Sequence, residues 1–456
     1  MAFSSEMTWG AAAAAYQIEG AGKQGGRGRD VWDMLARTPG KIEDGHNGDV
    51  GTDHYNRLDA DLDLFKAIGL QAYRFSIAWP RILPQGTGTV NEAGLDFYDR
   101  LVDGMLQRGI TPWATLFHWD FPYDLYCRGG WLNRDVVSWF SEYTAVVATR
   151  LGDRVKHWMP QNEPQCFVGL GHGGGGHAPG LSLNWPELLR IAHHALLAHG
   201  SAVQLLRESV VGAVVGTAPV ACVKIPAEET AANIRAAKEG TMALTDKTLW
   251  STTWFADPMI LGTYPEDGLA LYGDDMDGVV QDGDMARICQ PLDFFGYNIY
   301  NGQRVEAGED GKAVSVTATP GHPATTMHWR MEPACMYWAA KWFHERYALP
   351  IVITENGLAN NDWVHLDGAV HDSQRIDFTH RYLLDLHRAV EDDVPVMGYF
   401  HWSVMDNFEW CLGYNRRFGL IHVDYATLKR TLKDSAHWYR GLIESNGECL
   451  FNAPVI

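Results

Sequence analysis

The chain has 456 residues, 46% of them hydrophobic, and a formal net charge of −19. This length buries a large core, and because barrel enzymes commonly exceed the ordinary domain size it does not by itself imply several domains. The negative charge argues against nucleic-acid or anionic-membrane partners, both of which need a positive surface to recruit phosphates.

An apolar run at Thr8 to Ala14 opens the chain. Tyr55, Leu58, Leu62 and Phe65 then recur at helical spacing, Gly69 supplies a C-terminal stop, and Leu70 to Ile77 reads as a buried strand. The same grammar returns twice. Leu95, Tyr98, Leu101 and Met105 precede Gly109 and the run Ile110 to Phe117; Val136, Phe140, Val147 and Leu151 precede Gly152 and Val155 to Met159. A helix over Pro186 to Glu208 leads to Val210 to Thr217, and Ile376, Leu383, Leu386 and Val390 lead to Val394 to Phe400. Short extended runs at Asp293 to Tyr297 and Pro350 to Thr354 complete eight candidate strands. Helices alternating with nearly all-apolar strands imply a parallel sheet buried on both faces, and eight such strands predict a (β/α)8 TIM barrel of the α/β class. With no Pro/Ser-rich linker or abrupt charge change, residues 1–456 are expected to form one barrel domain whose long βα-loops build the active-site mouth. Ala227 to Asp284 contains helical pieces without clear boundaries, and the glycine cluster from Gly169 to Gly180, which lacks the lysine of a phosphate loop, is expected to form a flexible wall of that mouth.

No window approaches the roughly 20 apolar residues that cross a bilayer. The N-terminal segment lacks the basic start and long apolar stretch of an export signal, so a cytoplasmic location is expected. Seven widely scattered cysteines read as reduced core thiols rather than a zinc or redox motif. His193, His194 and His199 lie in the apolar helical stretch without the i, i+4 spacing of a helical metal pair, so packing is the better reading and neither metal nor cofactor is expected.

Two glutamates dominate the remaining signal. Glu163, in Asn162-Glu163-Pro164, and Glu355, in Thr354-Glu355-Asn356-Gly357, each end a short extended run, where strands give way to loops and catalytic groups commonly project. Such a carboxyl pair suits glycosidic chemistry: one donates a proton to the leaving oxygen, while the other attacks or stabilises the developing cationic carbon. The strand ends together present Gln17, Arg74, His118-Trp119, Asn162-Glu163, Asn298, Tyr300, Glu355, Trp402 and Glu409-Trp410. Carboxylate, amide and imidazole groups around aromatic faces match a sugar, which exposes hydroxyls at its edge and C–H groups on its faces.

In this order the chain carries Ala15-Tyr16-Gln17-Ile18-Glu19-Gly20-Ala21, Tyr73-Arg74-Phe75-Ser76-Ile77-Ala78-Trp79-Pro80-Arg81, His118-Trp119, Asn162-Glu163-Pro164, His177-Ala178-Pro179-Gly180, Thr354-Glu355-Asn356-Gly357 and Asp406-Asn407-Phe408-Glu409-Trp410. With these segments it resembles, over almost its full length, the β-glycosidases of glycoside hydrolase family 1. The resemblance implies Glu355 as nucleophile and Glu163 as general acid and later base, with carboxyls about 5 to 5.5 Å apart. It implies Asn162 on the sugar 2-hydroxyl, and Arg74 and Tyr300 flanking Glu355. Gln17, His118, Trp119, Glu409 and Trp410 would bind hydroxyls, with Trp402 under the sugar face and Asn298, Trp329 and Phe418 completing the substrate-binding shell. Relatives acting on 6-phosphorylated sugars carry serine at the Glu409 position, with lysine and tyrosine shortly after; here Glu409, Arg416 and Phe418 stand there. Plant thioglucosidases have glutamine in place of the acid, whereas Glu163 is intact.

The implied activity is a retaining β-glucosidase acting on short oligosaccharides such as cellobiose and on aryl or alkyl glycosides, with tolerance for galactosyl or fucosyl units and some transfer to other acceptors. Its partner is a small-molecule carbohydrate; self-association into a homo-oligomer is compatible with the sequence. Two other classes fit less well: a non-catalytic sugar-binding barrel would have lost one of the glutamates, and a metal-dependent barrel hydrolase would cluster His and Asp at strand ends, where only His118 and His401 stand apart. Three positions depart from the family pattern: Pro160 inside the fourth strand, Gln165 after Asn-Glu-Pro, and Gly216, where an active-site asparagine is common. Gly216 is expected to widen the acceptor side of the site.

Overall fold

The computed structural model describes residues 3–452. Its central sheet has eight parallel strands: β1 (Thr8–Ala13), β2 (Ala72–Ser76), β3 (Thr111–Phe117), β4 (His157–Gln161), β5 (Val214–Val215), β6 (Phe295–Asn298), β7 (Ile351–Asn356) and β8 (Val396–Trp402). Their hydrogen-bonded order is β5-β4-β3-β2-β1-β8-β7-β6. Parallel bridges Gly216–Phe294 and Val220–Asn298 join the two outer strands and curl the sheet into a barrel. Almost every strand residue is buried, because side chains on one face fill the barrel and those on the other meet the surrounding helices.

Five of the eight helices around the barrel, the first four and the seventh, fall where the apolar spacing predicts them; the fifth, sixth and eighth have no such reading. The eight are α1 (His54–Ile68), α2 (Glu92–Gln107), α3 (Val136–Leu151), α4 (Trp185–Ser209), α5 (Asp284–Ile288), α6 (Ala334–Tyr347), α7 (Ser373–Glu391) and α8 (Asp434–Glu444). Gly69 ends α1 in the left-handed region at φ 84°, which a side chain would resist. Asn184 and Glu187 form a reciprocal capping box at the start of α4. The segment between β5 and α5 adds helices over Ala231–Met242, Thr252–Leu261 and Glu266–Tyr272. A small sheet of Lys224–Pro226, Gln303–Ala307 and Ala313–Ser315 stands above the barrel rim.

The fifth strand is much shorter than expected. Val210 still closes α4 through its N–H to Leu206 O, and Gly212 turns the chain at φ 73°, so the ladder begins only at Val214. Pro160 also finds a physical account. Ladder pairing between β4 and β5 stops at Trp158 and Val215, where Gly216 N donates to Trp158 O, and resumes with Glu163 N donating to Ala218 O at 2.8 Å. Pro160 occupies the gap between these bonds, where its missing N–H costs nothing.

Gly216 corrects the expectation placed on it. A Cβ there would lie 2.3 Å from the Phe294 ring, and the residue does not line the site cavity. Phe294 packs on Trp113 with ring centroids 5.5 Å apart, and Trp113 packs on Phe400 at 4.9 Å. Gly216 therefore makes room for the aromatic plug of the barrel, not for an acceptor.

All seven cysteines are unpaired, but only Cys166 and Cys335 are buried and Cys127 is exposed, so the reading of a set of core thiols is corrected to two. His193 bonds Tyr264 and Asp284, and His194 bonds Trp131 O, as packing residues of α4 do. Among the described residues no helix is long and apolar enough to cross a membrane, and no group of three or more His, Cys, Asp or Glu is arranged to hold a metal.

Candidate active site

Above the C-terminal ends of the strands lies a cavity of about 530 Å³. Glu163 and Glu355 both line it, as do His118, Trp119, Tyr300, Trp329, Trp402, Glu409, Trp410 and Phe418. Gln17, Arg74, Asn162 and Asn298 lie just behind that surface, wholly or almost wholly buried. Local backbone geometry aims several of these groups. In β7 the register shifts between Ile353 and Glu355, a bulge that turns the Glu355 side chain at the strand end. Trp119, Glu163 and Trp410 hold φ of 78°, 45° and 50°, a region that residues with side chains seldom adopt and that the surrounding packing must enforce.

Arg74, rising from β2, ties the two carboxyl-bearing loops together. Its Nη1 donates to Glu355 Oε1 at 2.6 Å, its Nη2 to Asn162 Oδ1 at 2.6 Å, and its Nε to Thr115 Oγ1 at 3.1 Å. Tyr300 Oη donates to the other Glu355 oxygen, Oε2, at 2.8 Å. Asn298 Nδ2 donates to Glu163 Oε1 at 2.9 Å and to Asn162 Oδ1 at 3.0 Å, while its own carbonyl accepts from Thr354 Oγ1 at 2.6 Å. The Cys166 thiol donates to Glu163 Oε2 at 3.2 Å. Asn162 Nδ2 lies 3.0 Å from His118 Nε2; with the amide as donor, that contact puts the imidazole proton on Nδ1.

These contacts set the two glutamates in different states. Burial raises the Glu355 carboxyl, but the Arg74 charge and the hydrogen bonds from Arg74 and Tyr300 oppose that rise. Glu163 receives only an amide and a thiol; burial and the charge of Glu355 push it up to about 8. Within the pair the proton therefore favours Glu163 and the negative charge favours Glu355. Glu409 is also pushed up to about 8, by burial first and then by the charges of Glu355 and Glu163.

The rest of the cavity offers faces and open hydrogen-bonding atoms. His118 and Trp402 stack at 5.8 Å, Trp119 and Trp410 lie 4.5 Å apart, and Tyr300 packs on Trp329 at 5.0 Å and edge-on to Phe418 at 6.1 Å. Gln17 spends its amide N–H groups on Asn407 Oδ1 and Phe408 O, which leaves Oε1 without a partner among the described residues; Glu409 Oε2 is likewise open. Buried acceptors left open at a cavity wall suit the hydroxyls of a bound ligand.

Sequence reasoning passed over Cys166, Thr115 and Thr354, which act on the glutamates directly or through Arg74 and Asn298. The glycine cluster does contribute Leu170 and His177 to the wall, as expected, but the rest of the outer wall was missed: Val220 to Lys224, Leu244, Trp250 and Met327. Cys166 stands three residues after Glu163, one helical turn on, and that spacing was its available signal. The outer wall comes from irregular loops with no periodicity to read.

The family model for glycosyl hydrolase family 1 matches residues 1–448. Beta-glucosidase A of Acetivibrio thermocellus is 42% identical over 98% of this chain and 99% of its own length. A bifunctional beta-D-glucosidase/beta-D-fucosidase of Bifidobacterium breve is 39% identical over 97% of this chain and 98% of its own. The solved structure of a beta-glucosidase from Thermotoga maritima in complex with glucoimidazole superposes with a TM-score of 0.89 at 41% identity, covering 98% of this chain and 99% of that one. The chain thus belongs to glycosyl hydrolase family 1, and with that membership come the (β/α)8 barrel, a retaining mechanism and the hydrolysis of β-glucosides.

Proposed function

We propose that Glu355 is the nucleophile and Glu163 the acid/base of a β-glucosidase that removes terminal non-reducing β-D-glucosyl units. The observation that carries this assignment is the unequal treatment of two buried carboxyls: Arg74 and Tyr300 hold Glu355 as the anion, while Glu163 keeps a proton beside it. In the first step the glycosidic C–O bond breaks as Glu163 passes its proton to the leaving oxygen, and Glu355 forms an ester to the anomeric carbon. Glu163, now an anion, then takes a proton from water, which attacks that carbon and releases Glu355 as the carboxylate. Asn162, held by Arg74 and Asn298, meets the 2-hydroxyl, where a bond that strengthens as the ring flattens lowers the barrier.

Gln17, His118, Trp119, Glu409 and Trp410 bind the other hydroxyls; Trp402 lies under the sugar face, and Asn298, Trp329 and Phe418 complete the shell. The fucosidase activity named for the Bifidobacterium breve relative supports tolerance at the sugar's 4- and 6-positions, with galactosides a further substrate class. Cellobiose and other short oligosaccharides, as well as aryl and alkyl glucosides, are the natural size range for a cavity of about 530 Å³, and transfer to such acceptors follows when they replace water. One catalytic domain fills the chain. Seven unpaired thiols support a reducing, cytoplasmic location. A screen of nitrophenyl β-glycosides differing in the sugar, with proton NMR of the first-formed product, tests the assignment. Glucoside should rank at or near the top and β-glucose should appear first; initial α-glucose, or turnover that survives Glu355→Gly, would overturn it.

A further inference from the structure

Among the described residues Lys224 is the one lysine or arginine that lines the cavity, against Glu163, Glu355, Glu409 and Asp246. It stands in the outer wall, on the short strand Lys224–Pro226 that pairs with Gln303–Ala307. Val220 bridges to Asn298, the partner of Glu163, and four residues of extended chain carry Lys224 at most about 13 Å beyond that point. Lys224 lines the cavity outside the shell proposed for the terminal sugar, which leaves it to the leaving-group part. Its ammonium is half-buried, which lowers its pKa, yet it makes no ion pair and no side-chain hydrogen bond among the described residues. Asp246, exposed and bonded to the Thr245 hydroxyl, lies beyond ion-pair distance. Two lysines of the same segment are paired, Lys238 with Glu345 and Lys247 with Asp275. The same cavity wall also presents apolar side chains, among them Leu170, Val223, Leu244, Trp250 and Met327, beside a few hydroxyls.

Resting on the β-glucosidase reading, we propose that Lys224 is a specificity-determining residue of the leaving-group subsite and recognises an aglycone that joins a flat apolar body to a carboxylate at its far end, as in a glucosylated phenolic acid. The apolar wall takes the ring and the ammonium takes the carboxylate, replacing the ion pair that the protein itself leaves unmade. An anion close to the glycosidic oxygen meets the Glu355 carboxylate instead and is repelled. Preference should therefore grow as the carboxylate moves outward.

The test compares kcat/KM for the β-glucosides of 2-hydroxybenzoic, 4-hydroxybenzoic and 4-hydroxycinnamic acids, each against its methyl ester, in the parent, Lys224→Met and Lys224→Arg. For the cinnamate pair the parent should favour the acid, Lys224→Met should lower the acid-to-ester ratio about tenfold, and Lys224→Arg should keep most of it. The 2-hydroxybenzoate ratio should not respond. The esters serve as the internal control: if the parent hydrolyses them, the glucosidase reading holds whatever the acids do, and if it hydrolyses none, that reading fails first. An acid-to-ester ratio that Lys224→Met leaves unchanged, with ester turnover intact, would overturn the proposal.

Discussion

Arg74→Met removes the charge that keeps Glu355 ionised, and its effect can be worked from the contact distance. The guanidinium and carboxylate touch at 2.6 Å, which sets their charge centres about 4 Å apart; at an effective dielectric constant near 20 this is worth about 4 kcal/mol, or roughly three pH units on Glu355. Burial already raises this carboxyl, so without Arg74 it rises further. The acid limb of kcat/KM against pH, which marks ionisation of the nucleophile in the free enzyme, should move up by that amount. It then approaches the basic limb set by Glu163, and activity at pH values below the parent's acid limb falls by about a thousandfold. Breaking a buried pair also costs about 3–5 kcal/mol of stability, so thermal melting and far-UV circular dichroism must accompany the kinetics. Arg74→Lys supplies the second arm. It keeps the charge but not the fork to Asn162, so its acid limb should stay within about one unit of the parent while substrate binding weakens. A folded Arg74→Met whose activity drops equally at every pH would refute the electrostatic role.

The two catalytic substitutions should fail differently: Glu355→Gly abolishes turnover of every substrate, whereas Glu163→Ala spares the first step for dinitrophenyl glucoside, whose leaving group needs no proton, as a pre-steady-state burst would show. Cys166→Ala removes a donor to ionised Glu163 and should raise the basic limb by a fraction of a unit, with Cys166→Ser restoring it. On the proposed placement of Glu409 in the sugar shell, glucoside should outperform glucose-6-phosphate substrates at least a hundredfold in kcat/KM, and Glu409→Ser should narrow that gap. Glu409 also bears on stability. Because its folded pKa of about 8 lies above the ordinary carboxyl value, its contribution is fully present below that ordinary value and is lost as pH rises through 8. Glu409→Gln should therefore melt higher than the parent at pH 9 by up to about 4–5 kcal/mol, and the advantage should fade toward pH 4.

How legible these features were in the sequence follows from their physics. Strands buried on both faces are continuous apolar runs, so β2, β3 and β8 could be bounded to within about two residues. β5 could not, because a strand-like composition over Val210 to Thr217 gives no sign that Val210 still belongs to the helix cap. The glutamates stood out through the stiff dipeptides around them and because a charge at the end of an apolar run is costly unless used. Gly216 misled for a related reason. Alignment to a motif fixes a position along the chain but not the direction a strand residue faces, and here that position points at Phe294 within the barrel. Lys224 left no trace, since a lysine on a three-residue strand without periodicity becomes informative only when its missing ion pair is seen.

The loop that carries Glu409, Trp410 and Phe418 shows how open acceptors are maintained in a folded protein. Just before them, Asp406 is buried and both its oxygens are occupied: Oδ1 accepts from Lys433 Nζ at 2.6 Å and from Gly419 N at 3.0 Å, and Oδ2 from Arg417 Nη1 at 2.6 Å. Lys433 also reaches Asp362 at 2.6 Å, and Asp362 and Asp372 both pair with Arg375 on α7. Truncating one member of such a network strands a buried charge, so the loop has few alternative conformations of comparable energy. That rigidity allows Glu409, three residues further on, to hold an unbonded carboxyl oxygen at the cavity wall instead of turning to find a partner within the protein. The binding shell of the terminal sugar is preorganised by charges that never touch it. Loss of Lys433 should then weaken sugar binding through the misplacement of Glu409, although Lys433 lies outside the cavity lining.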